Sequence, residues 1–223
     1  MKKFLSCFSR GTFMLLLFGI ILICFSAGDT FISLKPAVSF EDMLDGKEVK
    51  TGTHVAGNVA YALDYFASET SYTKYSDGSR SGDKKSGNYY LIPTATGFIG
   101  LKSRQKDVSA LDDLSDETFV YLTDGTEPKT EIFMQGTVKV MEDKLAGYYR
   151  EYLEDMGYTQ GEIDDMGQPL FIDYVSFGSV RAMFIIGVAL VCLGFFLMWR
   201  RYKRAENRSE NLKSVDDLPD TPV

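Results

Sequence analysis

Two stretches of the chain are apolar almost without interruption, and the residues between them change period repeatedly. The later stretch, Ala182 to Trp199, has eighteen uncharged, largely apolar residues between Arg181 and Arg200. At ~1.5 Å per residue it covers ~27 Å of helix, close to a bilayer's hydrocarbon thickness, and no polar stripe marks it as a core helix of a soluble protein. The earlier stretch follows Lys2, Lys3 and Arg10 and runs from Thr12 through Phe13, Leu15, Ile20 and Leu22 to Ala27, with Phe31, Ile32 and Leu34 extending it. A signal peptide cleaved near Ser26 and Ala27 competes with an uncleaved signal anchor, and the extension favours the anchor. Between these segments Ser39 caps a short helix burying Phe40, Met43 and Leu44 that stops at Gly46. From Thr53 to Tyr65 the period becomes two, with Val55, Gly57, Val59, Tyr61 and Leu63 on one side, which predicts one long strand bent at Gly57.

The polar run from Ser76 to Gly87 then predicts a mobile hairpin tip. Residues 89–94 and 97–102 form a tight hairpin turning at Ala95 and Thr96, with Pro93 in a terminal position. Val108, Leu111 and Leu114 lie on one helical face, and Ser115 is placed to cap a second helical turn carrying Phe119 and Leu122. Residues 130–141 form a second long strand, and its Met134-Gln135-Gly136-Thr137-Val138 echoes Val55-Ala56-Gly57-Asn58-Val59. Both glycines are expected where a curved sheet folds over itself. The clearest amphipathic helix runs from Glu142 to Met156, with Leu145, Tyr149, Tyr152, Leu153 and Met156 inward and Gly157 as its stop. Thr159 and Glu162 form a capping box, and residues 170–175 make a last strand leading into the second span. These elements predict an α+β protein: a small curved antiparallel sheet or OB-like barrel with added helices, flanked by two transmembrane helices.

Charge adds an orientation. Arg200, Arg201, Lys203 and Arg204 directly after the second span place the tail inside, because Lys and Arg are retained on the cytoplasmic side. The expected organisation is a cytoplasmic N-terminus (1–11), a transmembrane signal anchor (12–34), an extracytoplasmic α+β domain (35–180), a second span (181–200) and a disordered cytoplasmic tail (201–223). The chain carries a net charge of -7, yet residues 29–180 hold 26 acidic and 14 basic residues. So acidic a domain lacks the basic footprint that nucleic acid requires. Cys7, Cys24 and Cys192 are the only cysteines and all lie in or beside the apolar segments, so the outer domain has neither a disulfide nor a thiolate metal site. His54, the single histidine, excludes a multi-histidine zinc site.

Candidate chemistry is sparse. Asp77 and Asp83 lack calcium-loop spacing and are interleaved with Arg80, Lys84 and Lys85. Asp112, Asp113, Asp116 and Glu117 read as a solvated helix face, and the tyrosines between Tyr148 and Tyr174 read as packing. Ser71-x-x-Lys74 and Ser81-x-x-Lys84 match a Ser-Lys hydrolase pattern, although both lie in or beside the mobile loop. No catalytic residue, cofactor site or metal site is assigned. Gly187 and Gly194, with Val191 between them, put a groove on one face of the second span, suited to the first span, to a second copy or to another membrane protein.

The flanking spans, the Gly-x-Val strands, the hairpin over 89–102 and the run over 136–163 resemble a family of uncharacterised bacterial two-span membrane proteins, mainly Gram-positive, with an extracytoplasmic OB-like domain. The likeness covers most of the chain and rests on apolar and glycine positions, so it implies a fold and a topology and transfers no catalytic residue. The expected function is non-enzymatic: an integral membrane protein whose outer domain scaffolds or binds another envelope component, in contact with the lipid bilayer. The alternative is a membrane-anchored hydrolase using a Ser-Lys pair. A sensor signalling through the tail is weaker, because the tail has no recognisable output domain.

Overall fold

The computed structural model describes residues 9–216. It divides into two compact units, Phe31–Phe177 on one hand and the residues up to Thr30 together with those from Gly178 on the other.

In the second of these units, α1 (Arg10–Ser33) and α6 (Phe177–Asp216) are both long and apolar enough to cross a membrane. Only 22% of the most apolar stretch of α1 and 17% of that of α6 is buried, whereas the core helix of a soluble protein would be mostly buried. Phe13, Phe18, Phe25, Ile185, Phe196 and Trp199 all stand exposed. Apolar surface on this scale is stable against lipid rather than water, so the pair points to a membrane protein. The two helices pack through glycines. A Cβ on Gly19 would lie 2.8 Å from the Gly187 carbonyl oxygen and 2.8 Å from Val191 Cγ2, and one on Gly194 would lie 2.7 Å from Leu16 Cδ2. The groove formed by Gly187 and Gly194 is thus filled by the first helix of the same chain. The span expected to end at Arg200, with a disordered tail beyond it, is instead part of one helix, α6, that continues to Asp216. Seven of the sixteen residues 201–216 are Arg, Lys or Glu, which extend a helix already nucleated at small cost. Residues 217–223 lie outside the described residues.

Unit Phe31–Phe177 is an α+β domain built on a six-stranded sheet in the order β1-β5-β6-β4-β3-β2. The strands are β1 (His54–Asn58), β2 (Leu63–Ser71), β3 (Lys84–Thr94), β4 (Gly97–Lys102), β5 (Phe133–Val140) and β6 (Leu170–Tyr174). Neighbours are antiparallel except β4 and β6, which run parallel, so the sheet is mixed rather than antiparallel. It is also open: β1 and β2 are its edges and do not pair, which replaces the closed-barrel alternative. The sheet must nevertheless curl. Four residues, 59–62, connect the two edge strands, and an extended chain of that length spans less than ~20 Å. A flat six-stranded sheet with strands ~4.8 Å apart would set the edges ~24 Å apart.

That connection also corrects the single long strand expected from Thr53 to Tyr65. Val59 N donates to the Ile132 carbonyl at 3.0 Å and Ala62 N to Thr118 Oγ1 at 3.3 Å, so the backbone leaves β1 and crosses to the far edge. The sequence alternation runs on through the break, but burial does not follow it: Val59, Ala62 and Leu63 are buried while Tyr61 is only half-buried. The echoing segments around Gly57 and Gly136 turn out to be partners, with Val55 opposite Gly136 and Gly57 opposite Met134.

The concave side of the sheet holds the main core: Val55, Tyr90, Ile92, Ile99, Leu101, Met134, Val138 and Ile172, closed by Phe40 and Met43 of α2 (Phe40–Leu44) and Leu111 and Leu114 of α3 (Val108–Asp124). A capping box between Ser39 and Asp42 starts α2, as the sequence indicates. Ser115 does not cap a new turn: α3 is one continuous helix through it, buries Ser115 and Thr118, and leaves Phe119 and Leu122 exposed. On the opposite face, Tyr149 and Leu153 of α4 (Asp143–Asp155) and Ile163 of α5 (Gln160–Asp165) pack on Leu63, Leu91 and Met141. Met156, expected inside, is 42% exposed. The capping box of Thr159 and Glu162 and the left-handed stop at Gly157 (φ 98°) form as read from the sequence.

Candidate functional site

Along the convex face one row of side chains crosses the sheet. Cross-strand partners share a face, and the register sets His54 opposite Thr137, Thr137 opposite Asp173, and Lys102 opposite Tyr89. Helices α4 and α5 cover the β2–β3–β4 side of this face with apolar residues. The row itself is polar and ion-paired. Lys139 Nζ lies 2.6 Å from Asp173 Oδ2, and Lys102 Nζ lies 2.8 Å from Glu69 Oε1. Glu69 also receives a hydrogen bond from Ser86 Oγ through its other oxygen at 3.2 Å. Burial pushes the Lys102 ammonium down, but Glu69, Tyr89 and Asp173 more than offset it, and its affinity for the proton rises. The Tyr89 ring, half-buried against Phe66 and Phe171, lies under the Lys102 ammonium. Burial raises the Tyr89 hydroxyl above its ordinary value. The arrangement is a strip of balanced, fixed charges on a rigid sheet with aromatic rings beside it, which suits recognition through complementary charge and ring stacking.

Among the described residues, shallow clefts open on the domain, three of them with the following linings. One of about 280 Å³ adjoins the strip, between Ser68, Glu69 and Tyr89 on the sheet and Glu142, Lys144, Leu145 and Tyr148 at the start of α4. A second, of about 450 Å³, lies between Arg150 and Gly147 of α4 and Gln168 and Pro169. The third, of about 210 Å³, has Met43, Phe98, Ile99, Met166 and Leu170 as its apolar wall and Lys47, Glu48, Thr94 and Gln168 as polar groups. In none of the three do polar groups converge on a nucleophile beside a base. Among the described residues no three His, Cys, Asp or Glu side chains gather as metal ligands.

Residues singled out by motif land elsewhere. Ser71 Oγ donates to the Lys84 carbonyl at 3.5 Å and Ser81 Oγ to the Gly82 carbonyl at 3.2 Å, so neither hydroxyl points its proton at a lysine amine. The polar tip is shorter than its composition suggests, because Lys84 to Gly87 extend β3 and pair with β2. Within the acidic run, Glu117 fastens a loop: it accepts from Thr130 N at 2.8 Å and Lys129 N at 2.6 Å, and these bonds lower its pKa. Asp112, read as solvated, takes a 2.5 Å hydrogen bond from the hydroxyl of fully buried Tyr90. That hydroxyl also accepts from Asn88 Nδ2 at 3.2 Å, and burial foremost, with Asp112, drives its pKa upward. The tyrosines of 148–174 are mainly packing: Tyr149 is buried, its hydroxyl bonded to the Phe98 carbonyl at 2.9 Å and pushed up to about 12 by burial. Sequence reasoning missed the strip itself. Its trace was the charge at Lys139 and Asp173, which interrupts two strands otherwise rich in apolar residues.

Fold and site together define a class: an α+β domain with an outward polar strip, set between two helices able to cross a membrane. The chain belongs to the family described as Domain of unknown function (DUF8577), whose model matches residues 2–199. No curated protein and no solved structure matches it.

Proposed function

We propose that this is a non-enzymatic integral membrane protein, both termini cytoplasmic, whose extracytoplasmic domain binds or scaffolds another component of the cell envelope through the strip of Lys139, Asp173, Lys102, Glu69 and Tyr89. One observation carries the reading: the domain runs into both apolar helices almost without a linker. Strand β6 ends at Tyr174 and α6 begins at Phe177, while α1 ends at Ser33 and the α2 cap is Ser39. A domain held at both ends so closely cannot diffuse to soluble partners, and it meets lateral ones at high effective concentration. Because Gly187 and Gly194 are occupied by α1, the partner contacts belong on the sheet face. The basic run from Arg200 to Arg204 supports the orientation. A photo-crosslinking amino acid at Lys139 in intact membranes tests the reading, with a reproducible adduct as the expected result. Recovery of neither a partner nor a self-adduct, from Lys139 and from a control set around the domain, would refute it.

A further inference from the structure

At the β1 end of the strip, two buried polar atoms on facing residues have no hydrogen-bond partner in the protein: His54 Nε2 and Thr137 Oγ1. His54 is 9% exposed and Thr137 3%. Buried side-chain polar atoms are nearly always satisfied, because leaving one bare forfeits its hydration. Two orphans on one cross-strand pair therefore call for a common explanation. The other ring nitrogen sets the tautomer of the neutral ring. His54 Nδ1 lies 3.1 Å from the Lys35 carbonyl oxygen, which can only accept, so Nδ1 carries the hydrogen. Neutral imidazole with Nδ1–H presents Nε2 as an acceptor. Thr137 Oγ1 offers one donor and two lone pairs.

We propose that His54 and Thr137 bind a small protic ligand between them, a single water molecule that donates to His54 Nε2 and is held by the Thr137 hydroxyl. The site is too buried for a larger molecule, and facing side chains on adjacent strands lie close enough for one water to bridge. Its place in the domain gives it a role. The imidazole is gripped from two other directions, by the Lys35 carbonyl just after α1 and by the ring of Phe177, which meets it edge-on with centroids 4.5 Å apart. The first residues of the domain and its last residue are therefore both fastened to the edge strand through one side chain, whose remaining nitrogen the water satisfies.

The single histidine makes the test direct. Full-length chain in nanodiscs, labelled with ¹⁵N at histidine, has one imidazole to observe. We expect the Nδ1–H form, with an Nε2 resonance that moves on Thr137→Val and stays in place on Thr137→Ser. Thr137→Val removes a hydroxyl at nearly constant shape, so it distinguishes a satisfied group from an orphan. With the water in place it should lower the melting temperature by about 2–12 °C, as expected for stranding a buried polar group in a domain of this size. The substitution His54→Asn retains a donor for the Lys35 carbonyl but removes the Nε2 acceptor, and it supplies the second arm of a double-mutant cycle. The loss caused by Thr137→Val should shrink in that background. An Nε2–H imidazole overturns the proposal. So does a Thr137→Val protein that melts at or above the parent temperature with Nε2 unmoved. If the valine variant fails to fold, the tautomer and a magnetisation-transfer contact between the imidazole and water, measured in the parent and the serine variant, decide the matter.

Discussion

Gly57 and Gly136 occupy the same local motif on adjacent strands, and the structure predicts opposite responses to the same substitution. A Cβ on Gly136 would collide with the backbone oxygen of Asp173 and lie 2.8 Å from Ile172 Cγ2. Ordinary carbon contacts are ~3.5–4.0 Å, so one of the partners would have to retreat by up to ~1 Å. The backbone oxygen belongs to β6, which is paired on both sides by β5 and β4 and cannot withdraw cheaply. Overpacking of this kind costs ~1–3 kcal/mol. At ~2–4 °C per kcal/mol for a domain of this size, Gly136→Ala should melt roughly 2–12 °C lower. A Cβ on Gly57 would meet Ser39 Cβ at 3.5 Å, Ser39 Cα at 3.7 Å and Phe40 Cδ2 at 3.8 Å, all ordinary contacts, and neither glycine has positive φ. Gly57→Ala should then gain ~0.4–1 kcal/mol by restricting the unfolded chain, raising the midpoint by about 1–4 °C. Thermal unfolding of the full-length variants in one detergent, followed by near-UV circular dichroism, reads both. Equal shifts, or a larger loss at Gly57, would refute the close approach of β5 to β6.

Other variants probe the remaining packing. Leu153→Ala removes a fully buried side chain from the outer core and should cost ~2–5 kcal/mol in chemical denaturation, while Met156→Ala, 42% exposed one turn on, should cost well under half as much. Gly187→Leu should push apart the α1–α6 pair, because even a Cβ there lies 2.9 Å from Ile23 Cγ1; loss of crosslinking between cysteines placed on the two helices would show it. Glu117 has a folded pKa lowered by the Thr130 and Lys129 amides, so its contribution is full above the unfolded carboxylate value and is lost as pH falls through the folded one. The protection of those two amides, measured relative to their intrinsic exchange rates, should therefore fall on acidification below about pH 4.3, and Glu117→Gln should remove that pH dependence. The Tyr149 hydroxyl titrates upward, at about 12, so stability tied to it is full below about pH 10 and declines as pH rises towards 12; Tyr149→Phe should flatten that alkaline limb.

Local signals carried much of this architecture. The two apolar helices, the 89–102 hairpin, both capping boxes and the amphipathic face with Tyr149 and Leu153 each rest on residues close in sequence, where propensity and spacing decide the outcome. What escaped depends on long-range pairing. Nothing near Val59 announces that the chain leaves β1 there, since alternation continues while Thr118 and Ile132, far along the chain, capture its amides. The parallel contact of β6 with β4 is likewise invisible in a run as short as 170–174. The strip was hidden for the same reason: Lys139, Asp173, Lys102 and Glu69 are scattered over four strands, and only the register makes them neighbours. His54 read as a limit on zinc chemistry, and its contacts with Lys35 and Phe177 could not be inferred from one residue.

The central claim is that the α+β domain lies outside a membrane crossed by both helices. Single cysteines at Ser79 and Ser214, introduced into a chain lacking Cys7, Cys24 and Cys192, test it with a membrane-impermeant maleimide. The account predicts that Ser79→Cys is labelled in whole cells and Ser214→Cys only after lysis. Equal labelling of the two in whole cells, or labelling of Ser214→Cys alone, would contradict it.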